Sequence, residues 1–228
     1  MTSATSLTAA VRAMRTDEVA AGLDERPDLL AHHDRSGRSW LHLCCSVADA
    51  GERAVPVAAL LLDRGLPIDE PAFVEDETWH ATPVWYAVGR GRNLALVRFL
   101  LHRGASPQHS LWAAAFADDI EMIDLLLDHG ADIEAVAEGR TPFVDAVGSS
   151  HFASAEHLLD RGADPDSIGA DGRTALHLML KKRSDVRHIE MVLAHGARTD
   201  IADPDGRTAG EILARARTPE LRALAGPK

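Results

Sequence analysis

Twelve histidines and two cysteines are the side chains of this 228-residue sequence best suited to metal binding, acid–base work or nucleophilic attack. Their spacing does not assemble such chemistry. No H-E-x-x-H, H-x-H or C-x-x-C pattern accompanies the histidines, and His32-His33 and His109 stand without a partner motif. Cys44 and Cys45 are adjacent, which makes them a poor disulfide pair and gives them no zinc-site spacing. A cysteine nucleophile needs a base and an oxyanion site, and no pattern near these two supplies them. Gly89-Arg90-Gly91 follows a helix rather than a strand and lacks a downstream Lys-Ser/Thr, so it reads as a turn between helices and not as a phosphate cradle. Lys181-Lys182-Arg183 is one local positive spot, read as a solvated helix end. The expectation is a chain with no catalytic residue, no metal ligand set and no cofactor. A metal-dependent hydrolase using His and Asp is the alternative from another class.

The elements that must position these residues are helical. Leu and Ala are abundant, aromatic residues make up 4% and hydrophobic residues 46%, which suits closely packed helices with an ordinary core. The net charge of −11, from 35 acidic and 24 basic residues, argues against a nucleic-acid groove or an anionic membrane and suits a protein partner with a basic or mixed surface. The first residues lack the apolar core of a signal peptide, and no uncharged run approaches the roughly 18 residues of a membrane span. The expectation is a cytoplasmic, monomeric protein in a reducing compartment.

Residues 82–105 show the unit. Thr82 is placed as an N-cap before Pro83, Val84, Ala87 and Val88 recur at helical spacing, and Gly89 and Gly91 end the helix. A second helix from near Asn93 carries Leu96, Val97, Leu100 and Leu101 on one face and stops at Gly104. Helices this short need neighbours to bury their apolar faces. The pattern recurs along the chain, with second helices closed by Gly65, Gly104, Gly130, Gly162 and Gly196, and the intervals average about 33 residues. Leu7–Leu30 reads as a preceding helix pair, with Val11, Met14, Val19 and Leu23 inward.

Asp171-Gly172-Arg173-Thr174-Ala175-Leu176-His177, Gly139-Arg140-Thr141-Pro142, Gly130-Ala131-Asp132 and Gly162-Ala163-Asp164 resemble the ankyrin repeat. The resemblance runs over about 34 to 217. It implies an all-α fold: an ankyrin-repeat solenoid of stacked helix-turn-helix units with short hairpin loops. Residues 1–33 form a helical N-terminal cap, five repeats follow at about 34–69, 77–107, 108–135, 138–168 and 171–201, and 205–228 form a truncated capping copy and tail. His42 and His177 then occupy the T-P-L-H place, where the ring hydrogen-bonds within the turn. Cys44 and Cys45 take the place of paired small residues. Asp69, Glu134, Asp166 and Asp200, four residues after their glycines, read as acceptors for loop N–H groups.

Function in a repeat array is expected where the pattern breaks. The loop between the first repeat's helices, ADAGERA, is about five residues longer than the unit requires. The hairpin LPIDEPAFVEDETWHA is enlarged and acidic, through Asp69, Glu70, Glu75, Asp76 and Glu77, whereas ASPQHS leaves no room for a finger. Three of the four tryptophans and the only tyrosine fall between 79 and 112, beside this step. In ankyrin proteins finger tips and first helices line the concave face, so the resemblance implies a partner-binding surface of Trp79, Trp85, Tyr86, Arg90, Arg92, Trp112 and Phe116. The competing reading is that these rings fill core volume left by missing small residues. The functional expectation is a non-enzymatic protein–protein interaction module. An inhibitor or immunity protein neutralising a toxin or enzyme is the alternative within that class, and a self-assembling spacer a further one.

Overall fold

The structure, a computed structural model, describes residues 2–72, 81–137 and 139–225. The chain divides into two compact units, Met1–Ala113 with Asp128–Ala131, and Ala114–Leu127 with Asp132–Lys228. The described residues are mostly helical. They contain isolated antiparallel bridges but no longer strand. No described helix is long and apolar enough to cross a membrane.

The first unit contains α1 (Ala4–Arg12), α2 (Thr16–Glu25), α3 (Trp40–Cys45), α4 (Ala54–Asp63), α5 (Pro83–Gly89) and α6 (Leu94–His102). Alternate helices stack: α1 on α3 and α3 on α5, then α2 on α4 and α4 on α6. Each helix thereby buries the apolar stripe it cannot cover alone, with Val11, Leu23, Leu41, Leu61, Leu96 and Leu100 almost fully enclosed. Trp40, in the place where most other copies carry proline or alanine, is fully buried. Its indole Nε1 donates to the Leu29 carbonyl at 2.7 Å, and its ring stacks on His32. This ties the N-terminal helix pair to the first repeat. Met14, expected inward on α1, is half-exposed in the α1–α2 turn at φ 55°, because the helix stops at Arg12 to let α2 fold back.

The division between units falls within α7 (Leu111–Phe116) and at the last residue of α8 (Ile120–Asp128). The second unit continues with α9 (Pro142–Ser149), α10 (Phe152–Asp160), α11 (Ala175–Lys182), α12 (Val186–Ala194), α13 (Ala209–Ala214) and α14 (Pro219–Ala223). Here α9 packs on α11 and α11 on α13, while α10 packs on α12. The truncated last copy gains a short second helix, α14, folded against α13.

The hairpins of this unit rest on one another. Bridges pair Ala137 with Arg140, Ile168 with Thr174, and Ala202 with Thr208. Ala170 N–H donates to the Gly139 carbonyl at 2.7 Å, so close that a Cβ on Gly139 would stand 2.4 Å from that of Ala170. Glycine is required there for space and for its φ of 74°. Three of the four carboxylates expected to serve loop N–H groups satisfy the next loop's backbone, whereas Asp200 is taken up by the Arg198 guanidinium at 3.0 Å. Glu134 accepts from Asp164 N at 2.7 Å and Ser167 Oγ at 2.8 Å, and Asp166 accepts from Arg198 N at 2.8 Å. In the first unit Asp69 does the same for Ser106 N at 3.0 Å.

Second-helix ends carry a parallel ladder of charge. Asp24 pairs with Arg64 and Asp63 with Arg103 in the first unit, and Asp124 with His157 and Arg161, and Asp160 with His195, in the second. These are exposed or half-exposed pairs whose individual contribution is about 1 kcal/mol or less.

Candidate functional site

The expected surface is built on α5 and the turn that follows it. Thr82 caps the helix, its Oγ1 accepting from Trp85 N at 3.4 Å, and Pro83 sets the first turn. Val84, Ala87 and Val88 are buried as their spacing predicts. Tyr86 is half-exposed, set edge-on to His42 and to Trp85 with ring centroids 5.4 and 5.2 Å away. Arg90, the C-cap residue that follows α5, is exposed.

Trp85 departs from the expectation. Only 6% exposed, it lies with the core face of α5, because a helix packed against both α3 and α6 has to bury more than a narrow stripe. It supports Tyr86 from behind and offers little surface of its own. Trp112 is half-buried at the start of α7. Gly89 lies at contact distance from Ala113, a Cβ on it standing 3.5 Å from that of Ala113. Phe116, 53% exposed, belongs to the second unit, where its ring meets His151 edge-on at 6.3 Å. Trp79, with Glu75, Asp76 and Glu77 of the acidic loop, lies outside the described residues. Of the residues that flank this segment, Ala72 N donates to the Ala81 carbonyl at 3.1 Å.

The α5–α6 turn is held from several sides. Gly91 N donates to the Tyr86 carbonyl, Asn93 N donates to the Ala87 carbonyl, and Asn93 Oδ1 caps α6 by accepting from Leu96 N. A Cβ on Gly91 would lie 2.3 Å from the Cys45 carbonyl, so this glycine permits the close approach. The left-handed residue of the turn is Arg92, at φ 45°, and not either glycine. The other turns between paired helices show the same device at Met14, Asp49, Asp118, Ser150 and Arg183, a local geometry that composition does not reveal.

The long α3–α4 loop lies against this turn. It contains a single 3-10 turn at Gly51–Arg53, and Asn93 Nδ2 donates to the Gly51 carbonyl at 2.9 Å. The two segments enclose a cleft of about 430 Å³ with Asp49, Glu52, Arg90 and Arg92 among its lining residues. The insertion and the arginines, separate features of the sequence, thus form one charged surface of mixed sign.

The groups with chemical potential are committed elsewhere. His42 Nδ1 lies 3.1 Å from Ser39 N, from which it accepts, and 2.9 Å from Ser39 Oγ, while burial holds its pKa below the usual histidine value against the opposing pull of the Glu70 and Ala81 carbonyls. His177 Nδ1 lies 2.8 Å from Thr174 Oγ1. Cys44 and Cys45 are fully buried free thiols. Burial pushes the Cys44 pKa up to about 12 and Cys45 well above its ordinary value, which keeps both as neutral apolar side chains. His195 has its pKa raised by its hydrogen bond to the Met191 carbonyl and by Asp160. Among the described residues no three or more His, Cys, Asp or Glu are grouped so as to hold a metal ion.

Three exposed apolar residues, Ile120, Val136 and Ile168, were absent from the expected site. Val136 and Ile168, 61% and 55% exposed, occupy equivalent places on successive hairpins of the second unit, each six residues after its repeat glycine. The common offset of Val136 and Ile168 was the available sequence signal.

Residues 85–168 match the family model for ankyrin repeats in three copies. The fold is that of ankyrin repeat domains. It matches the crystal structure of the human ASB11 ankyrin repeat domain with a TM-score of 0.76 and 22% identity, covering 97% of this chain and 98% of that one. It also matches the ankyrin repeat domain of Bcl-3, a member of the IkappaB protein family, with a TM-score of 0.74, 21% identity and coverage of 95% and 96%. Among curated proteins, ankyrin repeat and SAM domain-containing protein 6 of Danio rerio is 32% identical over 133 residues, or 56% of this chain and 16% of that protein. The ADP-ribosylation factor GTPase-activating protein AGD1 of Arabidopsis thaliana is 29% identical over 122 residues, or 50% and 14%. The chain thus spans about one-sixth or less of the curated relatives it matches. Ankyrin repeats generally act as protein–protein interaction modules and not as enzymes.

Proposed function

We propose that this chain recognises a partner protein through the first unit, on the surface formed by Tyr86, Arg90 and Arg92, with Trp112 and Trp79 contributing and Trp85 acting as its buried support. The observation that carries this reading is the half-exposed Tyr86 of α5 and the exposed Arg90 that follows it, beside a cleft built by the inserted α3–α4 loop. Tyrosine, tryptophan and arginine often dominate interfaces, with truncation costing about 2 kcal/mol or more. Phe116, exposed on the second unit, is proposed as a separate contact. A net charge of −11 favours encounter with a basic partner, which suits the inhibitor or immunity reading of the same surface.

Affinity capture with mass spectrometry identifies the partner, and titration calorimetry then compares variants. Tyr86→Ala and Arg90→Ala should each weaken binding about tenfold or more while retaining the far-ultraviolet helical signal. Undiminished affinity in the Tyr86→Ala/Arg90→Ala double variant would remove the surface from consideration.

A further inference from the structure

Between the α11–α12 turn and the α13–α14 pair lies an open groove of about 830 Å³. Leu180, Val186, Ile189, Ile212 and Leu221 supply apolar lining, and all but Ile189 remain partly exposed. Its size is within the range of ligand-holding clefts.

The charged side chains around it are not equivalent. Asp185 is engaged as the N-cap of α12, accepting from Arg187 N at 3.1 Å, and Glu211 completes the capping box of α13 with Thr208. Arg207 is held by Asp203 and Asp205. Arg183, Arg215 and Arg217 are exposed and form no ion pair among the described residues. Their backbones are nevertheless fixed. Arg183 sits in the left-handed C-cap of α11, and Arg222 donates to the carbonyls of Ala216 and Arg217 at 2.8 and 2.9 Å, pinning the loop that carries Arg215 and Arg217. Three unengaged guanidinium groups therefore border an apolar floor in a protein whose total charge is −11.

We infer that this groove docks an acidic amphipathic segment of a partner protein, with apolar side chains on the Leu180–Ile212–Leu221 floor and carboxylates at Arg183, Arg215 and Arg217. Arginine suits the second role because its planar fork can bind a carboxylate through two hydrogen bonds. The apolar floor and overall negative charge disfavour a polyanion such as nucleic acid, which would gain nothing from the floor and be repelled elsewhere. This site is independent of the α5 surface.

Fluorescence anisotropy on the full chain tests the assignment, using as probe a labelled amphipathic peptide of leucine and glutamate and, for comparison, its leucine–lysine counterpart. The acidic peptide should bind, the basic one should not, and the triple variant Arg183→Glu, Arg215→Glu, Arg217→Glu should weaken binding about tenfold or more. Arg90→Glu should leave it unchanged, and methyl NMR shifts should centre on Leu180, Val186, Ile212 and Leu221. The assignment is overturned if neither peptide binds, if both bind alike, or if the triple reversal has no effect in a folded protein. Loss on Arg90→Glu would move the peptide to the first unit and also overturn it. A concentration-dependent dimer in light scattering, abolished by Arg215→Glu, would give the groove to a second copy of the chain instead.

Discussion

The hairpins of the second unit and the α5–α6 turn of the first solve the same problem, how to satisfy a loop's backbone, in different ways. In the second unit the solution is periodic. Glu134 serves the loop at Asp164 and Ser167, Asp166 serves Arg198, and Gly139 lies beneath Ala170. The α5–α6 turn is anchored by contacts that occur once, Gly91 against the Cys45 carbonyl and Asn93 on the inserted loop at Gly51. A periodic solution commits its polar side chains to the next copy. The single-use solution fixes the backbone and leaves Tyr86 and Arg90 facing outward. Irregularity in a repeat array therefore creates presentable side chains without loosening the frame.

The largest test of the frame is Trp40→Ala, which removes a fully buried ring and its bond to Leu29 and should cost about 3–5 kcal/mol in denaturant unfolding. A loss below about 1 kcal/mol would show that the N-terminal pair is not tied to the repeats through this ring. Gly91→Ala should follow at about 1–3 kcal/mol, because its Cβ collides with backbone. Gly162→Ala, whose Cβ meets open space and whose only cost is its positive φ, should lose about 1 kcal/mol. Equal losses at the two glycines would erase the distinction between crowding and backbone conformation. Glu134→Ala should cost about 1–2 kcal/mol by leaving Asp164 N and Ser167 Oγ without their acceptor, and hydrogen exchange should quicken locally at that hairpin.

The smallest and sharpest contrast is in pH. His42 has a lowered folded pKa, so the unfolded chain binds the proton more readily. Its contribution is full above the unfolded value of about 6.5 and is lost as the pH falls below it. His195 is shifted upward, so its contribution is full below about 6.5 and fades as the pH rises through the folded pKa. Unfolding curves across this range should show His42→Gln flattening the acidic limb, with glutamine able to keep the N3 role in the capping box. His195→Gln should act in the opposite direction. An unchanged acidic limb in His42→Gln would assign that slope to other groups.

Much of the frame was legible from short-range signals. Thr82-Pro83 started a helix, Asn93 capped the next, and the glycines at 65, 104, 130, 162 and 196 marked left-handed ends, each with φ between 85° and 98°. The histidine at the third helical position, at 42 and 177, bonded into its own turn as the repeat implied. The candidate site was less legible. Nothing local separates Trp85 from Tyr86, yet one is buried and the other half-exposed. Nothing local announces that Arg92 takes the left-handed place beside two glycines. These outcomes depend on α3, α6 and the Cys45 carbonyl, which lie far away in sequence.

The sequence by itself determined the repeat, most of its helix starts and stops and the roles of the caps at Thr82, Asn93 and the repeat glycines, because hydrogen-bonding reach, proline geometry and glycine's freedom act within a few residues. Only the tertiary structure decided which rings are core, that the inserted loop and the Arg90–Arg92 turn share a cleft, and that Arg183, Arg215 and Arg217 border one groove. Burial and charge juxtaposition are properties of neighbours in space, and in a chain of stacked helices those neighbours come from the adjoining copies.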